Sequence, residues 1–145
     1  MSKSKLIASI ILILGLGGLS LYMNKDRFRR ESIQITHRLN PARARDGRIP
    51  ITFILNGYYK LKNIRVVNAT TYETNKFVLP VWRLITESNS VPVSTFNYGN
   101  NIRGMHPDTK GARPETLEAG VTYRLMLETD QKQKAEYDFT VSATQ

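Results

Sequence analysis

The sequence predicts an all-β domain, an antiparallel sandwich of about seven short strands, preceded by one transmembrane helix. Three observations lead to this fold class. Residues 6–23 form an uncharged apolar run, and the later residues fall into short segments in which apolar and polar side chains alternate. Between these segments lie clusters of Gly, Pro, Asn and Asp, which are typical of turns. No long window has the 3.6-residue apolar period of an amphipathic helix.

The apolar run LIASIILILGLGGLSLYM, residues 6–23, has no charge in 18 positions. A helix of this length rises about 27 Å, close to the thickness of the hydrocarbon core of a bilayer. We therefore predict a retained membrane anchor. A cleaved signal peptide is the alternative, but its apolar core is usually only about 7 to 15 residues long. The segment Gly18-Leu19-Ser20, the best candidate cleavage site, matches that pattern poorly.

Basic residues flank the predicted helix on both sides, at Lys3 and Lys5 before it and at four positions within 24–31 after it. Read literally, the positive-inside rule would keep the domain in the cytoplasm. Small β domains behind a short N-terminal anchor are, however, most often exported. We expect a single-pass protein of the cytoplasmic (inner) membrane with its domain on the periplasmic or extracellular side.

The net charge of +9 is concentrated just after the helix. Residues 24–48 contain eight basic and three acidic residues, whereas residues 49–145 contain eleven and nine. Basic residues beside a membrane segment contribute about 1 kcal/mol each near an anionic surface. We predict lipid head-group contacts for Tyr22, Lys25, Arg27, Arg29 and Arg30. The alternative is a polyanion- or nucleic-acid-binding module that uses residues 25–48. Nucleic acid is not the expected partner, because binding it usually needs a basic face with interleaved aromatic residues, whereas basic residues beside a membrane segment are more simply explained by head-group contacts.

The chain divides into an N-terminal tail (1–5), the helix (6–23), a basic connector (24–31) and the β domain (32–145). The sequence NGYY, residues 56–59, predicts a turn, and residues 99–116 form one long irregular stretch. The chain has no cysteine, so the fold must hold without disulfides. Strands are predicted within 32–39, 49–55, 61–70, 76–86, 91–99, 121–129 and 135–141.

The last hairpin carries a more specific pattern, in which Leu117, Gly120 and Tyr123 have the spacing L-x-x-G-x-x-Y before an alternating strand. This hairpin resembles that of fibronectin type III and related immunoglobulin-like domains. The resemblance implies that the leucine plugs the core, that the glycine permits the turn, and that the tyrosine hydroxyl bonds backbone upstream, as a tyrosine corner. It is specific for about 25 residues, and Ala119 stands where the family often has a proline.

The alternation over residues 121–129 also predicts which side chains face inward. Tyr123 should point into the core and Arg124 outward, where it could pair across the strands with Glu136 or Asp138. Trp82, the sole tryptophan, is predicted to lie in the core.

The sequence offers little for catalysis or for metal binding. His37 lies on the apolar face of the first predicted strand, which favours a hydrogen-bonded structural histidine. His106 and Asp108 lie close together in the long stretch, but a metal site needs three or four ligands and no recognisable spacing joins them to Glu115 or Glu118. We therefore expect no enzyme activity, no cofactor, no metal and no small-molecule substrate.

The long stretch is the best candidate for a contact surface, because loops of more than about 12 to 15 residues in compact domains are often functional. Its alternative role is to bridge two strands. We expect a non-catalytic structural or interaction module that contacts membrane lipid and one or more integral membrane proteins, as an accessory subunit of a larger membrane complex. The predicted partner contacts are Arg103, Met105, His106, Lys110 and Arg113.

Overall fold

The computed structural model describes residues 2–24, 32–43, 50–87 and 90–142, and it divides into two compact units, Met1–Ser32 and Ile33–Gln145. The first unit contains one helix, α1 (Lys3–Met23), and the second is a β domain. The predicted head-group contacts Lys25, Arg27, Arg29 and Arg30 lie outside the described residues, whereas Tyr22 is exposed near the end of α1.

Helix α1 is long and apolar enough to cross a membrane, judged by length and composition. Its 21 residues rise about 32 Å. None of its side chains is buried. The helix begins at Lys3 rather than at residue 6, because lysine is a good helix former and extends the backbone beyond the apolar run.

Two antiparallel sheets form the β domain, which confirms the all-β class. One sheet has the strand order β1-β2-β5 and the other β6-β4-β3-β7-β8. A 3₁₀ turn (Pro41–Arg43) follows β1, and a short helix α2 (Ala69–Thr74) follows β3. The strands are β1 (Ile35–Leu39), β2 (Ile51–Tyr59), β3 (Leu61–Asn68), β4 (Trp82–Ile85), β5 (Val93–Asn97), β6 (His106–Pro107), β7 (Thr122–Thr129) and β8 (Lys134–Thr140).

Aromatic residues of both sheets meet in one core. Phe53 on β2 is fully buried, and its ring centroid lies 5.4 Å from that of Phe96 on β5. It also lies 5.0 Å from that of Phe139 on β8 of the other sheet, in an edge-on arrangement. Trp82 is buried in the same cluster, as its sequence context predicts. The core therefore rests on ring contacts that join the two sheets.

The strand registers define two ends of the β domain. At one end, here called the Ile33 end, the chain enters the β domain. The β2–β3 join at Lys60 and the β7–β8 turn also lie at this end. They are neighbours, because the Asp130 N–H donates to the Lys60 carbonyl at 3.0 Å. The Phe77 end is the opposite one, with the β3–β4 connection and the chain that leads into β7. Antiparallel pairing of β3 with β4 and β7 fixes this assignment.

The corner before β7 has the contacts that the fibronectin type III resemblance implies. Tyr123 is buried, and its hydroxyl oxygen accepts a hydrogen bond from the Glu118 N–H at 2.9 Å. Gly120 has φ +80°, a conformation that favours glycine, and its N–H donates to the Val141 carbonyl at 2.9 Å. Leu117 is half-buried and packs against the core.

Tyr123→Phe is expected to lower the free energy of unfolding by about 1 to 2 kcal/mol, because the partly buried Glu118 N–H loses its acceptor while the ring stays packed. Urea-induced unfolding of the two proteins measures this. Tyr58→Phe is the matched control, since Tyr58 is exposed and its loss of one hydroxyl should change stability by less than about 0.5 kcal/mol. Equal stability of wild type and Tyr123→Phe would contradict the role of this hydrogen bond.

Two features of the fold depart from the sequence predictions. The predicted turn at residues 56–59 is wrong, because β2 continues to Tyr59 and absorbs the irregularity as a register shift between Ile54 and Tyr59. The predicted strands 61–70 and 76–86 are shorter in the structure, because α2 and a loop lie between β3 and β4. The prediction for His37 is confirmed, since its Nδ1 lies 2.7 Å from the Tyr137 hydroxyl and joins β1 to β8.

Candidate partner-binding surface

Two large apolar side chains are exposed on the connection between β3 and β4. Phe77 is 93% exposed and Leu79 is 85% exposed. Single exposed apolar residues are common, whereas contiguous exposed apolar patches mark interaction sites. The sequence predicts both in a strand, whereas the structure places them in a loop of residues 75–81, here called the β3–β4 loop.

The backbone of the β3–β4 loop is fixed by α2 before it. The helix begins after Asn68, whose side chain caps it by accepting a hydrogen bond from the Thr71 N–H at 3.1 Å. At the other end Asn75 donates its N–H to the Thr71 carbonyl at 2.9 Å, and its side-chain oxygen accepts from the Phe77 N–H at 3.0 Å. These two hydrogen bonds fix the backbone that leads to Phe77.

Helix α2 is in turn held on the outer face of the five-stranded sheet. Val67 is fully buried although it lies on the face opposite to Val66, which belongs to the core, and α2 contacts both β3 and β7. The Tyr72 ring of α2 is surrounded by three cations, at 4.3 Å for the Lys76 ammonium, 5.6 Å for the Arg65 guanidinium and 5.8 Å for the Arg124 guanidinium. Such cation–π contacts contribute about 0.5 to 1 kcal/mol each at exposed sites.

Arg124 on β7 connects α2 to β8. Its side chain is only 17% exposed, and it donates to Glu73 of α2 at 2.7 Å. It also donates to Asp138 of β8 through two bonds, from Nε at 2.7 Å and from Nη2 at 3.1 Å, which is one of the two pairings that the sequence predicts. Hydrogen bonds to these carboxylates raise the pKa of Arg124, and the hydrogen bonds from Arg124 lower the pKa of Asp138.

Asp138→Asn is expected to cost about 0.5 to 1 kcal/mol of stability at neutral pH, because the carboxylate is nearly half exposed and its pairing is screened by water. The pKa of Asp138 is lower in the folded state than in the unfolded chain, so this contribution is fully present above about pH 4 and is lost as the pH falls through the folded-state pKa. Urea unfolding of both proteins at a series of pH values checks it. A stability difference that stays constant into strong acid, or that equals that of the control Glu136→Gln, would contradict the assignment.

A groove of about 270 Å³ lies beside Leu79 and Pro80. The β3–β4 loop, β4 and residues 107–115 form its walls. Ligand pockets usually have about 300 to 1,000 Å³, so this groove lies just below the usual range. Its charged lining residues are Arg83, Asp108, Arg113 and Glu115.

Tyr98 joins the two walls of the groove. Its hydroxyl donates to the Glu115 carbonyl at 2.6 Å and lies 3.3 Å from the Val81 carbonyl, while the Glu115 N–H donates to Val81 at 2.9 Å. Burial raises the pKa of Tyr98, so the hydroxyl keeps its proton and remains a donor across the physiological range. The ring also packs edge-on against Trp82, with centroids 5.2 Å apart.

The predicted contact residues of the long stretch do not form one surface. Arg113 lines the groove, and Lys110 is exposed nearby. The Arg103 side chain is exposed. It lies at the Ile33 end, since the Arg103 carbonyl accepts a hydrogen bond from the Val91 N–H at 3.3 Å. The prediction that Met105 contacts a partner is wrong, because this side chain is 7% exposed and packs in the core. The stretch itself contains β6 and glycine turns rather than irregular chain throughout.

His106 and Asp108 do not converge on one site. The His106 side chain is exposed, with its Nδ1 3.0 Å from the Pro107 carbonyl. Asp108 forms an ion pair with Arg83 at 3.0 Å. Within residues 2–24, 32–43, 50–87 and 90–142, no group of three or more His, Cys, Asp or Glu side chains could hold a metal ion.

Sequence reasoning did not find Phe77 and Leu79 as candidate contacts. The run KFVLPVW has the composition of a buried strand, and only Pro80 indicates that the backbone is interrupted there. Comparison with known proteins adds no relative, because no protein-family model, no curated protein and no solved structure matches this chain.

Proposed function

We propose that this protein is a non-catalytic interaction module, anchored by α1 in a membrane, that binds a protein partner through the Phe77 end of its β domain. The observation that carries the proposal is the exposure of Phe77 and Leu79 on a loop whose backbone is already fixed. Burying one large apolar side chain contributes about 1.5 to 3 kcal/mol, so these two residues together would contribute about 3 to 6 kcal/mol to an interface.

The β domain is proposed to be an immunoglobulin-like sandwich of the fibronectin type III kind. Strands β1, β2 and β5 in one sheet correspond to A, B and E of that fold, and β3, β7 and β8 in the other correspond to C, F and G. The Tyr123–Glu118 hydrogen bond before β7 also supports it. Because this fold serves many functions, the proposed role rests on the surface and not on the fold.

The proposed setting is a larger complex in the cytoplasmic membrane, in which this chain is a single-pass accessory subunit with its domain on the periplasmic or extracellular side. The length and the apolar composition of α1 support the anchor. Protease accessibility of the domain in intact cells tests the sidedness. Degradation only after the membrane is opened to the protease would place the domain in the cytoplasm and contradict it.

Co-purification of the full-length protein from native membranes in mild detergent tests partner binding. We expect the partner to accompany the wild type and to be lost, with at least a tenfold lower yield, from the double variant Phe77→Ser with Leu79→Ser, because both apolar anchors are removed. Thr95→Ser with Glu136→Ser is the control, since both residues are exposed within strands β5 and β8, away from the Phe77 end and outside the Ile33 end. A monodisperse wild-type protein without any partner, or equal yields from the double variant, would overturn the proposal.

A further inference from the structure

Exposed cations are gathered at the Ile33 end of the β domain, away from the proposed partner surface. Lys60 lies at the β2–β3 join, next to the β7–β8 turn that carries Lys132, because the Asp130 N–H donates to the Lys60 carbonyl at 3.0 Å. Arg103 lies at the same end, opposite Val91. All of the cations in this cluster are exposed: Lys60, Lys62, Arg103, Lys132 and Lys134.

These five cations are available to an external anion. None of them forms an ion pair within 4.0 Å with a described acidic residue, whereas Lys76, Arg83 and Arg124 elsewhere in the domain do. Three carboxylates lie at the same end, at Glu87, Glu128 and Asp130, of which Glu128 is the cross-strand neighbour of Lys134. Among the described residues at this end, the cations outnumber the carboxylates by five to three.

An aromatic side chain accompanies the cations. Tyr58 near the end of β2 is 77% exposed. The next residue, Tyr59, behaves differently, since it is half-buried and its hydroxyl donates to the Asn56 side chain at 2.8 Å. An exposed tyrosine ring beside lysines has the amphipathic character that favours the interface between water and lipid head groups.

The covalent chain keeps this end within reach of the membrane in which α1 is proposed to lie. The Asn56 N–H donates to the Gln34 carbonyl at 3.1 Å, so the chain enters the domain beside Tyr58. Only nine residues, 24–32, separate Met23 at the end of α1 from Ile33. A fully extended segment of that length spans at most about 32 Å.

We propose that the Ile33 end is a second membrane contact, at which the five cations and Tyr58 bind the surface of an anionic phospholipid bilayer. This inference rests on the proposed anchoring by α1. The lysine ammonium groups interact with lipid phosphates and carboxylates, and the tyrosine ring enters the head-group layer. The contact orients the domain so that Phe77 and Leu79, at the other end, are directed away from the lipid and toward a partner.

The test uses full-length protein reconstituted into vesicles of phosphatidylcholine, alone or mixed with phosphatidylserine. Because the chain has no cysteine, Tyr58→Cys and Phe77→Cys each allow one environment-sensitive fluorophore to be attached. We expect the label at position 58 to be quenched by head-group quenchers in the anionic vesicles, less so in the neutral ones or at high salt. The label at position 77 should remain accessible to quenchers in water.

Charge neutralisation separates this contact from general adhesion. Lys60→Gln with Lys132→Gln should weaken binding of the Ile33 end to the anionic vesicles, read from the label at position 58, about thirtyfold. The reason is that each lysine near an anionic surface contributes about 1 kcal/mol. The control Arg43→Gln with Lys110→Gln removes the same charge from exposed positions outside this cluster and should leave binding of the Ile33 end to the vesicles unchanged.

Extraction of the vesicles with alkaline carbonate reports on α1 independently. Release of the protein by carbonate would overturn the anchor itself, whereas a retained protein with no dependence of the position 58 label on lipid charge would overturn only the second contact.

Discussion

Phe53→Ala is expected to lower the free energy of unfolding by about 3 to 5 kcal/mol. The side chain is fully buried, and its ring packs against rings of both sheets, with its centroid 5.4 Å from that of Phe96 and 5.0 Å from that of Phe139. Its removal leaves a cavity where aromatic contacts join the two sheets, and the surrounding structure relaxes only partially into such a cavity. Because domains of this size are stable by only about 5 to 15 kcal/mol, the variant should be largely unfolded on mild heating.

Phe77→Ala is the matched control, since it removes the same side chain from a position that is 93% exposed. It should change the free energy of unfolding by less than about 0.5 kcal/mol. Urea-induced unfolding, followed by the fluorescence of the single Trp82, measures both variants. A Phe53→Ala protein as stable as Phe77→Ala would mean that the two sheets are not packed as described.

The double variant Leu12→Arg with Leu14→Arg is expected to leave the membrane fraction. Each arginine near the centre of a spanning helix costs about 2.5 to 3.5 kcal/mol on insertion, so the pair costs about 6 kcal/mol in a helix of only 21 residues. The β domain has its own core and should keep its fold. The share of protein that resists extraction with alkaline carbonate measures the effect.

Leu12→Val with Leu14→Val keeps the same positions apolar and should stay in the membrane fraction. If the arginine variant resisted extraction as well as this control, α1 would not be the anchor and the proposed membrane setting would fail. Release of the wild type under the same conditions would have the same meaning.

The alternation of β7 and β8 could be predicted from the sequence because it depends only on local geometry. Side chains of a strand alternate between two faces, and the polar turn between residues 129 and 134 fixes where the alternation begins. The buried positions of Tyr123 and Leu125, and the exposed position of Asp138, follow from this rule. Pairing of Arg124 with Asp138 rather than with Glu136 depends on the register of the two strands.

The features that were missed depend on tertiary contacts. Helix α2 has six residues and too few turns to show a period, and it is held by the Asn68 cap and by the cations around Tyr72. Gly57 is typical of a turn, yet here the Tyr59 ring covers it within a strand. Methionine and phenylalanine occur both in cores and in loops, so residue type alone does not predict where Met105 and Phe77 lie. Packing against the rest of the domain buries Met105 and leaves Phe77 exposed.

The single residue Lys60 that separates β2 from β3 has a consequence for the way the domain opens. Because β2 belongs to one sheet and β3 to the other, neither strand can leave its sheet without pulling on the end of the other strand beside Lys60. Amide hydrogens of Phe53 and Ile64 should therefore exchange with deuterium at the same slow rate, as members of one cooperative unit. Earlier exchange of one whole sheet would show that the two layers separate before the chain unfolds.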